Sequence, residues 1–239
     1  LSCAHALARN GHAVTIYEAR QKSGGLNEYG IAAYKTVDEF AAREVDYILG
    51  VGGVSIEHNA RLGASLSLAD LRKRYDAVFL AIGLGGVNAL GVDHRNVAGV
   101  EDAVSYIAKL RQTKDKSTLP IGRRVVVVGG GMTAIDIASQ AKRLGAEDVT
   151  IVYRRDAAAM KASAFEQELA QTDGVLIRHW LRPIAVRSEN GRLSGVELAY
   201  TRDEGGRLVD DGRHLSLDCD QLFLAIGQTM LANDIGDGD

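Results

Sequence analysis

A run of four valines followed by three glycines constrains the fold of this chain more than any other feature. Residues 125–128 read VVVV, and residues 129–134 read GGGMTA before a helix-like stretch. A buried strand, a G-x-G-x-x-A turn and a helix are the parts of a βαβ unit that binds a dinucleotide. The pattern therefore predicts an α/β fold with a parallel sheet and a dinucleotide site at this turn.

Three small residues of the turn have separate expected roles. Gly129 would allow the tight turn, Gly131 would let a pyrophosphate approach the backbone with no Cβ in the way, and Ala134 would keep the helix close to the sheet. The free N–H groups of the first helical turn would then face the phosphates, and the helix dipole favours negative charge there. A purely structural glycine turn is the alternative.

Two arginines lie where an NAD site would offer a carboxylate to the ribose 2′-hydroxyl, about 20 residues beyond the glycines. The chain reads Tyr153-Arg154-Arg155 at this point, with Lys161 shortly after. An arginine cannot accept a hydrogen bond from the hydroxyl, but it can clamp a 2′-phosphate. The residues therefore favour NADPH over NADH, with a solvated strand end as the alternative.

An internal similarity indicates a second copy of the same layout. The stretch ARNGHAVTIYEAR resembles AKRLGAEDVTIVYRR, and YDAVFLAIG resembles CDQLFLAIG, in the same order. The first copy ends its strand in Glu18, and a carboxylate there suits a ribose with free hydroxyls, as in FAD. Gly25 and Leu26 follow in a glycine turn that would let backbone pass close to a flavin. An ordinary turn is again the alternative.

Apolar runs and helix-like stretches alternate along most of the chain, as expected for parallel strands covered on both faces. The first predicted strands occupy residues 13–17, 54–56, 77–83, 125–128 and 149–153. Helices are predicted over Val37–Leu49, Glu101–Arg111, Thr133–Leu144 and Ala164–Gln171. Later strands are predicted at 176–180, 185–186, 196–201 and 222–226, with turns at residues 190–191 and 205–206.

Composition excludes several classes of function. The 28 basic and 31 acidic residues give a net charge of −3, so no field for nucleic acid or an anionic membrane is expected. No apolar run reaches the ~18 residues of a membrane span, and we expect a cytoplasmic protein. Cys3 and Cys219 are far apart and the six histidines are scattered, so neither a C-x-x-C disulfide nor a metal site is predicted.

Five motifs in order carry a family resemblance: GGLNEYGIAAYK, YDAVFLAIG, VVVVGGGMTAIDIA, VYRR and FLAIGQT. The chain resembles the FAD- and NAD(P)-binding electron-input subunits related to the glutamate synthase small subunit and the flavin half of dihydropyrimidine dehydrogenase. The resemblance implies two Rossmann-like, three-layer dinucleotide-binding domains. It places an NAD(P)-binding domain at 99–224, inserted into an incomplete FAD-binding domain at 1–98 and 225–239.

The resemblance also implies two sets of cofactor-binding residues. FAD contacts are expected from Glu18, Gly25, Leu26, Lys35 and Leu62. NAD(P) contacts are expected from Gly130, Gly131, Met132, Thr133, Arg154, Arg155, Lys161, Ala225, Ile226 and Gly227. Hydride transfer between nicotinamide and flavin requires alignment rather than a protein acid or base, so no catalytic side chain is predicted.

In such proteins electrons pass from NAD(P)H through FAD to a partner subunit. The partner implied by the resemblance contains FMN and iron–sulfur clusters and reduces a pyrimidine; the alternatives are glutamate synthase-like electron input and a non-catalytic redox sensor. The family's glycine-rich FAD loop is absent before Leu1, and its late flavin-binding stretch is absent by Asp239. We therefore expect part of a longer protein that does not retain FAD by itself but binds NADPH, with NADH possible.

Overall fold

The computed structural model describes residues 1–230 and divides into two compact units. The first unit comprises Leu1–Tyr29, Ala33–Gly86 and the described residues from Gln228. The second unit comprises Gly30–Ala32 and Val87–Gly227. The last part of the predicted FAD-binding segment 225–239, residues 231–239, lies outside the described residues.

The first unit contains a parallel pair of strands with helices. Its elements are α1 (Ser2–Arg9), β1 (Val14–Glu18), α2 (Leu26–Tyr29), α3 (Phe40–Leu49), β2 (Val54–His58) and α4 (Leu68–Arg74). Strands β1 and β2 pair in parallel with Glu18 opposite His58. Ala41 and Val45 are the buried residues of α3. This pairing brings the carboxyl ends of β1 and β2 to the same edge.

Two predictions for the first unit are wrong in detail. The apolar run at residues 77–83 is not a strand, and Phe79 in it is 70% exposed. Among the described residues β1 pairs only with β2, so this run has no neighbouring strand with which to form a ladder. The helix predicted from Val37 begins at Phe40, because Asp38 and Glu39 adopt left-handed φ angles of 55° and 54°.

The second unit holds the complete α/β layout. Strand β3 (Gly86–Val87) leads into it, and β12 (Gln228–Thr229) follows it. Its elements are β4 (Val100–Asp102), α5 (Ala103–Gln112), β5 (Arg124–Val128), α6 (Met132–Arg143), β6 (Asp148–Val152), α7 (Ala164–Thr172), β7 (Leu176–Arg178), β8 (Leu181–Glu189), β9 (Arg192–Glu204), β10 (Arg207–Asp218) and β11 (Gln221–Leu224). A short 3₁₀ helix spans Lys116–Thr118.

Two sheets form the second unit. Five parallel strands run in the order β4-β11-β5-β6-β7, and β10-β9-β8 form an antiparallel sheet. Val126 and Val128 pack in one buried cluster with Leu181, Val196 and Leu198 of the antiparallel sheet. Alternation along β5 turns the intervening valines to the opposite face of the parallel sheet. The mixed α/β, parallel-sheet fold predicted from the sequence is confirmed.

Local chemistry accounts for several helix starts in this unit. The Asp102 carboxylate accepts from the Ser105 amide at 3.1 Å, and the Ser163 hydroxyl accepts from the Glu166 amide at 3.3 Å. Each satisfies one of the free amides at a helix N-terminus. These caps explain why α5 and α7 begin close to their predicted positions.

The sequence predicts no strand over Arg207–Asp218, yet this segment forms β10, which pairs with residues 195–204 of β9. Its polar composition and Gly212 hide the strand, because β10 is an edge strand exposed on one side.

Across residues 1–230, no helix combines the length and the hydropathy required to cross a bilayer.

Candidate dinucleotide-binding site

The glycine bend lies directly after β5, at the carboxyl edge of the parallel sheet. Gly129 has a φ of 147°, and its amide donates to the carbonyl of Val152 at the end of β6, at 3.1 Å. A Cβ at this position would overlap the carbonyl oxygen of Ala225, which follows β11. Only glycine fits here without strain, because both the backbone angle and the close approach exclude a side chain.

The next two glycines differ in their surroundings. A Cβ on Gly130 would lie 2.5 Å from the Tyr153 ring, and the Gly130 carbonyl accepts from the Ala162 amide at 3.1 Å. A Cβ on Gly131 would meet no atom within 4 Å. The bend is therefore packed against protein at its first two residues and open at the third. An incoming diphosphate would find room at Gly131.

Four consecutive amides at the start of α6 have no protein acceptor among residues 1–230. They belong to Gly130, Gly131, Met132 and Thr133. The first amide of this turn to find an acceptor is that of Ala134, which donates to the Gly131 carbonyl at 3.0 Å. Free amides at the positive end of a 12-residue helix form an anion-binding site.

Three cations follow the neighbouring strand β6. Arg154 and Lys161 are exposed and Arg155 is half-buried. None of the three forms an ion pair with an acid in the described part of the chain. Because the Gly129 amide bonds to the last residue of β6, the segment that carries the two arginines starts beside the glycine bend. The site therefore combines free donors with uncompensated positive charge.

Backbone and side-chain contacts fix the segment that carries these cations. The Tyr153 hydroxyl donates to the Ala159 carbonyl at 2.8 Å. The Arg154 carbonyl accepts from the Thr201 hydroxyl at 2.7 Å, and the Arg155 carbonyl accepts from the Trp180 amide at 3.2 Å. No sequence pattern points to Thr201 or Trp180, because both reach the site only through the pairing of the antiparallel sheet.

The segment after β11 completes this edge of the sheet. The Ala225 amide donates to the Val128 carbonyl at 2.9 Å. Asn88 holds the next two residues: its side-chain amide donates to the Ile226 carbonyl at 3.0 Å, and its backbone amide donates to the Gly227 carbonyl at 3.1 Å. The structure thus places the segments after β5, β6 and β11 at one edge of one sheet, where open α/β folds bind ligands.

The residues predicted to contact FAD lie in the first unit. The Glu18 carboxylate, at the end of β1, accepts from the Arg20 amide at 2.9 Å. Gly25 has a φ of 54° and a Cβ there would meet nothing within 4 Å, while Leu26 is 62% exposed. Lys35 and Leu62 lie in two other loops of this unit, the Lys35 ammonium 5.7 Å from the Tyr34 ring centre.

His58 is a further residue near Glu18 that no sequence pattern predicts. His58 lies opposite Glu18 at the end of β2, and its Nε2 is 3.0 Å from the Ser23 hydroxyl. This contact ties the glycine turn to the end of β2. A single histidine between two strands carries no sequence signal of this role.

The two cysteines lie in different units. Burial raises the pKa of the Cys219 thiol to about 12, so the reactive thiolate is scarce at neutral pH. Cys3 belongs to the first unit. Within the described 230 residues, no group of three or more His, Cys, Asp or Glu side chains is arranged to hold a metal ion.

The sequence pattern of the pyridine nucleotide-disulphide oxidoreductase family matches residues 1–235. The chain belongs to this family. The resemblance seen in the sequence is thereby confirmed, as are FAD and NADPH as the cofactors of the family. Which residues of this chain contact each cofactor stays a prediction.

Three curated relatives show where the chain stands within the family. It is 35% identical to the NADP(+)-dependent formate dehydrogenase subunit beta of Moorella thermoacetica, over 95% of this chain and 33% of the relative. It is 33% identical to the glutamate synthase [NADPH] small chain of Escherichia coli, over 95% and 51%. It is 32% identical to the NAD-dependent dihydropyrimidine dehydrogenase subunit PreT of Salmonella typhimurium, over 93% and 50%.

The chain therefore spans between a third and about half of the length of these relatives, each of which is named as one subunit or chain of a larger enzyme. Among solved structures, FprA of Mycobacterium tuberculosis in complex with NADPH matches with a TM-score of 0.78 at 18% identity, over 94% of this chain and 68% of FprA. That likeness establishes the shared fold.

Proposed function

We propose that this chain is the NAD(P)H-binding core of an electron-input flavoprotein subunit. In the intact protein, electrons from NADPH would pass through FAD to a partner subunit. The second unit would bind the pyridine nucleotide, and the first unit would contribute Glu18, Gly25, Leu26, Lys35 and Leu62 to FAD. When bound, FAD supplies a two-electron acceptor for the hydride of the nicotinamide.

One observation carries this proposal. The four free amides at the start of α6 stand beside Arg154, Arg155 and Lys161, which have no acidic partner among the described residues. A diphosphate would accept from the amides, while a 2′-phosphate would pair with the guanidinium groups. The open space at Gly131 leaves room for the diphosphate to approach. The residues present thus fit a phosphorylated pyridine nucleotide.

The residues of the first unit also fit their proposed role. The Glu18 carboxylate ends β1, the position from which an acid reaches ribose hydroxyls. The left-handed Gly25 leaves open space where a Cβ would stand, so a planar ring or a phosphate can pass close to the backbone.

The relatives support two versions of the partner. In the PreT-like version, the family resemblance implies an FMN- and iron–sulfur-containing partner that reduces a pyrimidine. In the glutamate synthase-like version, it implies a large amidotransferase subunit. We propose the first version, although the PreT relative is named NAD-dependent, whereas the glutamate synthase relative is named for NADPH. A non-catalytic redox sensor is the alternative of another class, since the nucleotide site alone would serve it equally well.

Calorimetric titration of the 239-residue chain with NADPH and with NADH tests the nucleotide site. In Arg154→Ala/Arg155→Ala, we expect NADPH to bind about 30-fold more weakly, from loss of about 2 kcal/mol of charge-assisted hydrogen bonds. NADH should change by less than about threefold. The control Arg9→Ala/Arg43→Ala removes the same charge from exposed positions of the first unit.

Two results would contradict the proposal. If neither nucleotide bound to the wild-type chain at micromolar concentration, the second unit would not be a pyridine nucleotide site. If both nucleotides lost affinity equally in the arginine double variant, the 2′-phosphate role would be wrong. On the full-length gene product, bleaching of flavin absorbance by NADPH separates the oxidoreductase from the sensor, because a sensor would bind without reducing the flavin.

A further inference from the structure

An open cleft of about 680 Å³ lies within the second unit, on the antiparallel sheet. We call six of the residues that line it the aromatic cleft: Trp180, Tyr200, Thr201, Arg202, Asp211 and Arg213. His179 also lines it. None of these residues belongs to the predicted set of cofactor-binding residues. Their chemistry and their position raise the question of what they bind.

Two hydrogen bonds connect the aromatic cleft to the arginine pair, and a third links two residues of the cleft. The Trp180 amide donates to the Arg155 carbonyl at 3.2 Å, and the Thr201 hydroxyl donates to the Arg154 carbonyl at 2.7 Å. The Thr201 amide donates in turn to the Trp180 carbonyl at 2.8 Å. Two wall residues of the cleft are therefore bonded directly to the backbone of the two arginines.

Trp180 is held in an unusual backbone conformation. Its φ is 59°, in the left-handed region that large side chains rarely adopt. Both its amide and its carbonyl are engaged, the first with Arg155 and the second with Thr201. Such a conformation persists only when the surroundings fix it, and it is frequent where a side chain must point at a ligand.

Most of the charges around the cleft are paired, whereas Asp203, which also lines it, forms no ion pair among the described residues and accepts from the Gly206 amide at 2.7 Å. Arg213 pairs with Asp211, and its guanidinium carbon lies 4.6 Å from the centre of the Tyr200 ring. Arg202 pairs with Glu204 at 2.7 Å. A surface with mostly paired charges and two aromatic side chains favours a neutral planar ring over an anion.

A polar group is also available at the edge of the cleft. His179 is partly buried, and its Nε2 is buried without a hydrogen-bond partner in the described residues. A buried ring nitrogen of this kind gains from any partner that reaches it. A heteroaromatic base, which carries donors and acceptors around its rim, offers such a partner.

We propose that the aromatic cleft receives the adenine base of NADPH. The inference rests on the proposed function, because it takes the 2′-phosphate to be held by Arg154 and Arg155. The base is attached to C1′ of the ribose, and the phosphate to the adjacent C2′. A base whose phosphate lies at the arginines must therefore lie within one sugar of them, where Trp180 offers a face for stacking.

The single tryptophan of the chain makes the test direct. We would titrate the 239-residue chain with 2′,5′-ADP, which contains adenine and the 2′-phosphate, and with nicotinamide mononucleotide and inorganic phosphate. Calorimetry measures binding, and the emission of Trp180 reports contact with the base. We expect 2′,5′-ADP to quench the emission and the two other compounds to leave it unchanged.

Variants measure the contribution of stacking. Trp180→Ala should weaken 2′,5′-ADP about tenfold, and Trp180→Phe by less than about threefold, because a phenyl ring retains a stacking face. Leu176→Ala, at a 56% exposed position on β7, is the control and should have no effect. The wild-type emission measurement needs no variant, so the test holds even if Trp180→Ala does not fold.

The outcomes separate this inference from the proposed function. Calorimetric binding of 2′,5′-ADP with unchanged Trp180 emission would overturn the adenine site while leaving the nucleotide site intact. Equal quenching by inorganic phosphate or nicotinamide mononucleotide would also overturn it. Absence of binding by NADPH and NADH would instead refute the proposed function, whatever the emission showed.

Discussion

Substitution of the third glycine of the bend separates folding from binding. Gly131 is the N-cap of α6, with a φ of −99°, and a Cβ there would meet no atom within 4 Å. Gly131→Ala should therefore fold normally. The same methyl group would stand in the space where a diphosphate must approach the free amides. We expect loss of NADPH affinity without loss of stability.

The magnitudes follow from opposing backbone effects. Alanine is a poorer N-cap than glycine, which costs up to about 1 kcal/mol. Replacing glycine by alanine at a negative φ also restricts the unfolded chain, which contributes about 0.4–1 kcal/mol in the other direction. The free energy of unfolding should therefore change by no more than about 1 kcal/mol in either direction. Displacing the diphosphate from even one amide should weaken NADPH about tenfold or more.

Urea denaturation and calorimetry measure the two quantities on the same sample, and Gly129→Ala is the matched comparison. Its Cβ would overlap the Ala225 carbonyl oxygen at a φ of 147°, so it should lower the free energy of unfolding by about 2 kcal/mol or more. A folded Gly131→Ala chain that bound NADPH within twofold of wild type would refute the assignment of this bend to the diphosphate.

Two further predictions concern the two cysteines and the ion pair between Arg187 and Asp218. Cys3 should react with a thiol reagent in the folded chain, whereas Cys219, which is fully buried with a pKa raised to about 12, should react only after unfolding; equal reaction rates would contradict its burial. Arg187 bonds the Asp218 carboxylate at 2.7 Å and lowers its pKa, so the pair favours folding above about pH 4 and loses this effect as pH falls further. Thermal melts of Asp218→Asn should show a smaller decrease below pH 4 than wild type, and an identical acid profile would argue against this pair.

The parts of the fold that depend on local sterics could be predicted from the sequence. The valine run forms β5 at residues 124–128, and α6 begins at Met132, one residue before its predicted start. Gly129 needs a positive φ, and such a requirement is visible in sequence because few residues other than glycine meet it. The family resemblance supplied what the local pattern could not, including the segment after β11.

Elements that depend on a distant partner could not be predicted in the same way. The run at 77–83 has strand-forming residues but no neighbouring strand among those described, whereas β10 is polar yet pairs along β9. Thr201 and Trp180 reach the arginine backbone only because β8 and β9 bring them there. Residue type says little about such contacts, since the partner rather than the segment decides them.

Some arginines of the second unit are paired with acids, whereas Arg178, Arg192 and Arg207, like the arginines of the site, form no ion pair among the described residues, so the site is marked by cations that follow β6 next to free amides. Arg123 bonds Glu147 at 2.6 Å and Arg143 bonds Asp173 at 3.0 Å. We assign these ion pairs a structural role only. Arg154 and Arg155 have no such acid in the described chain and stand beside four free amides. A turn with a purely structural role would gain nothing from concentrating uncompensated positive charge, whereas a site for a phosphorylated nucleotide requires it.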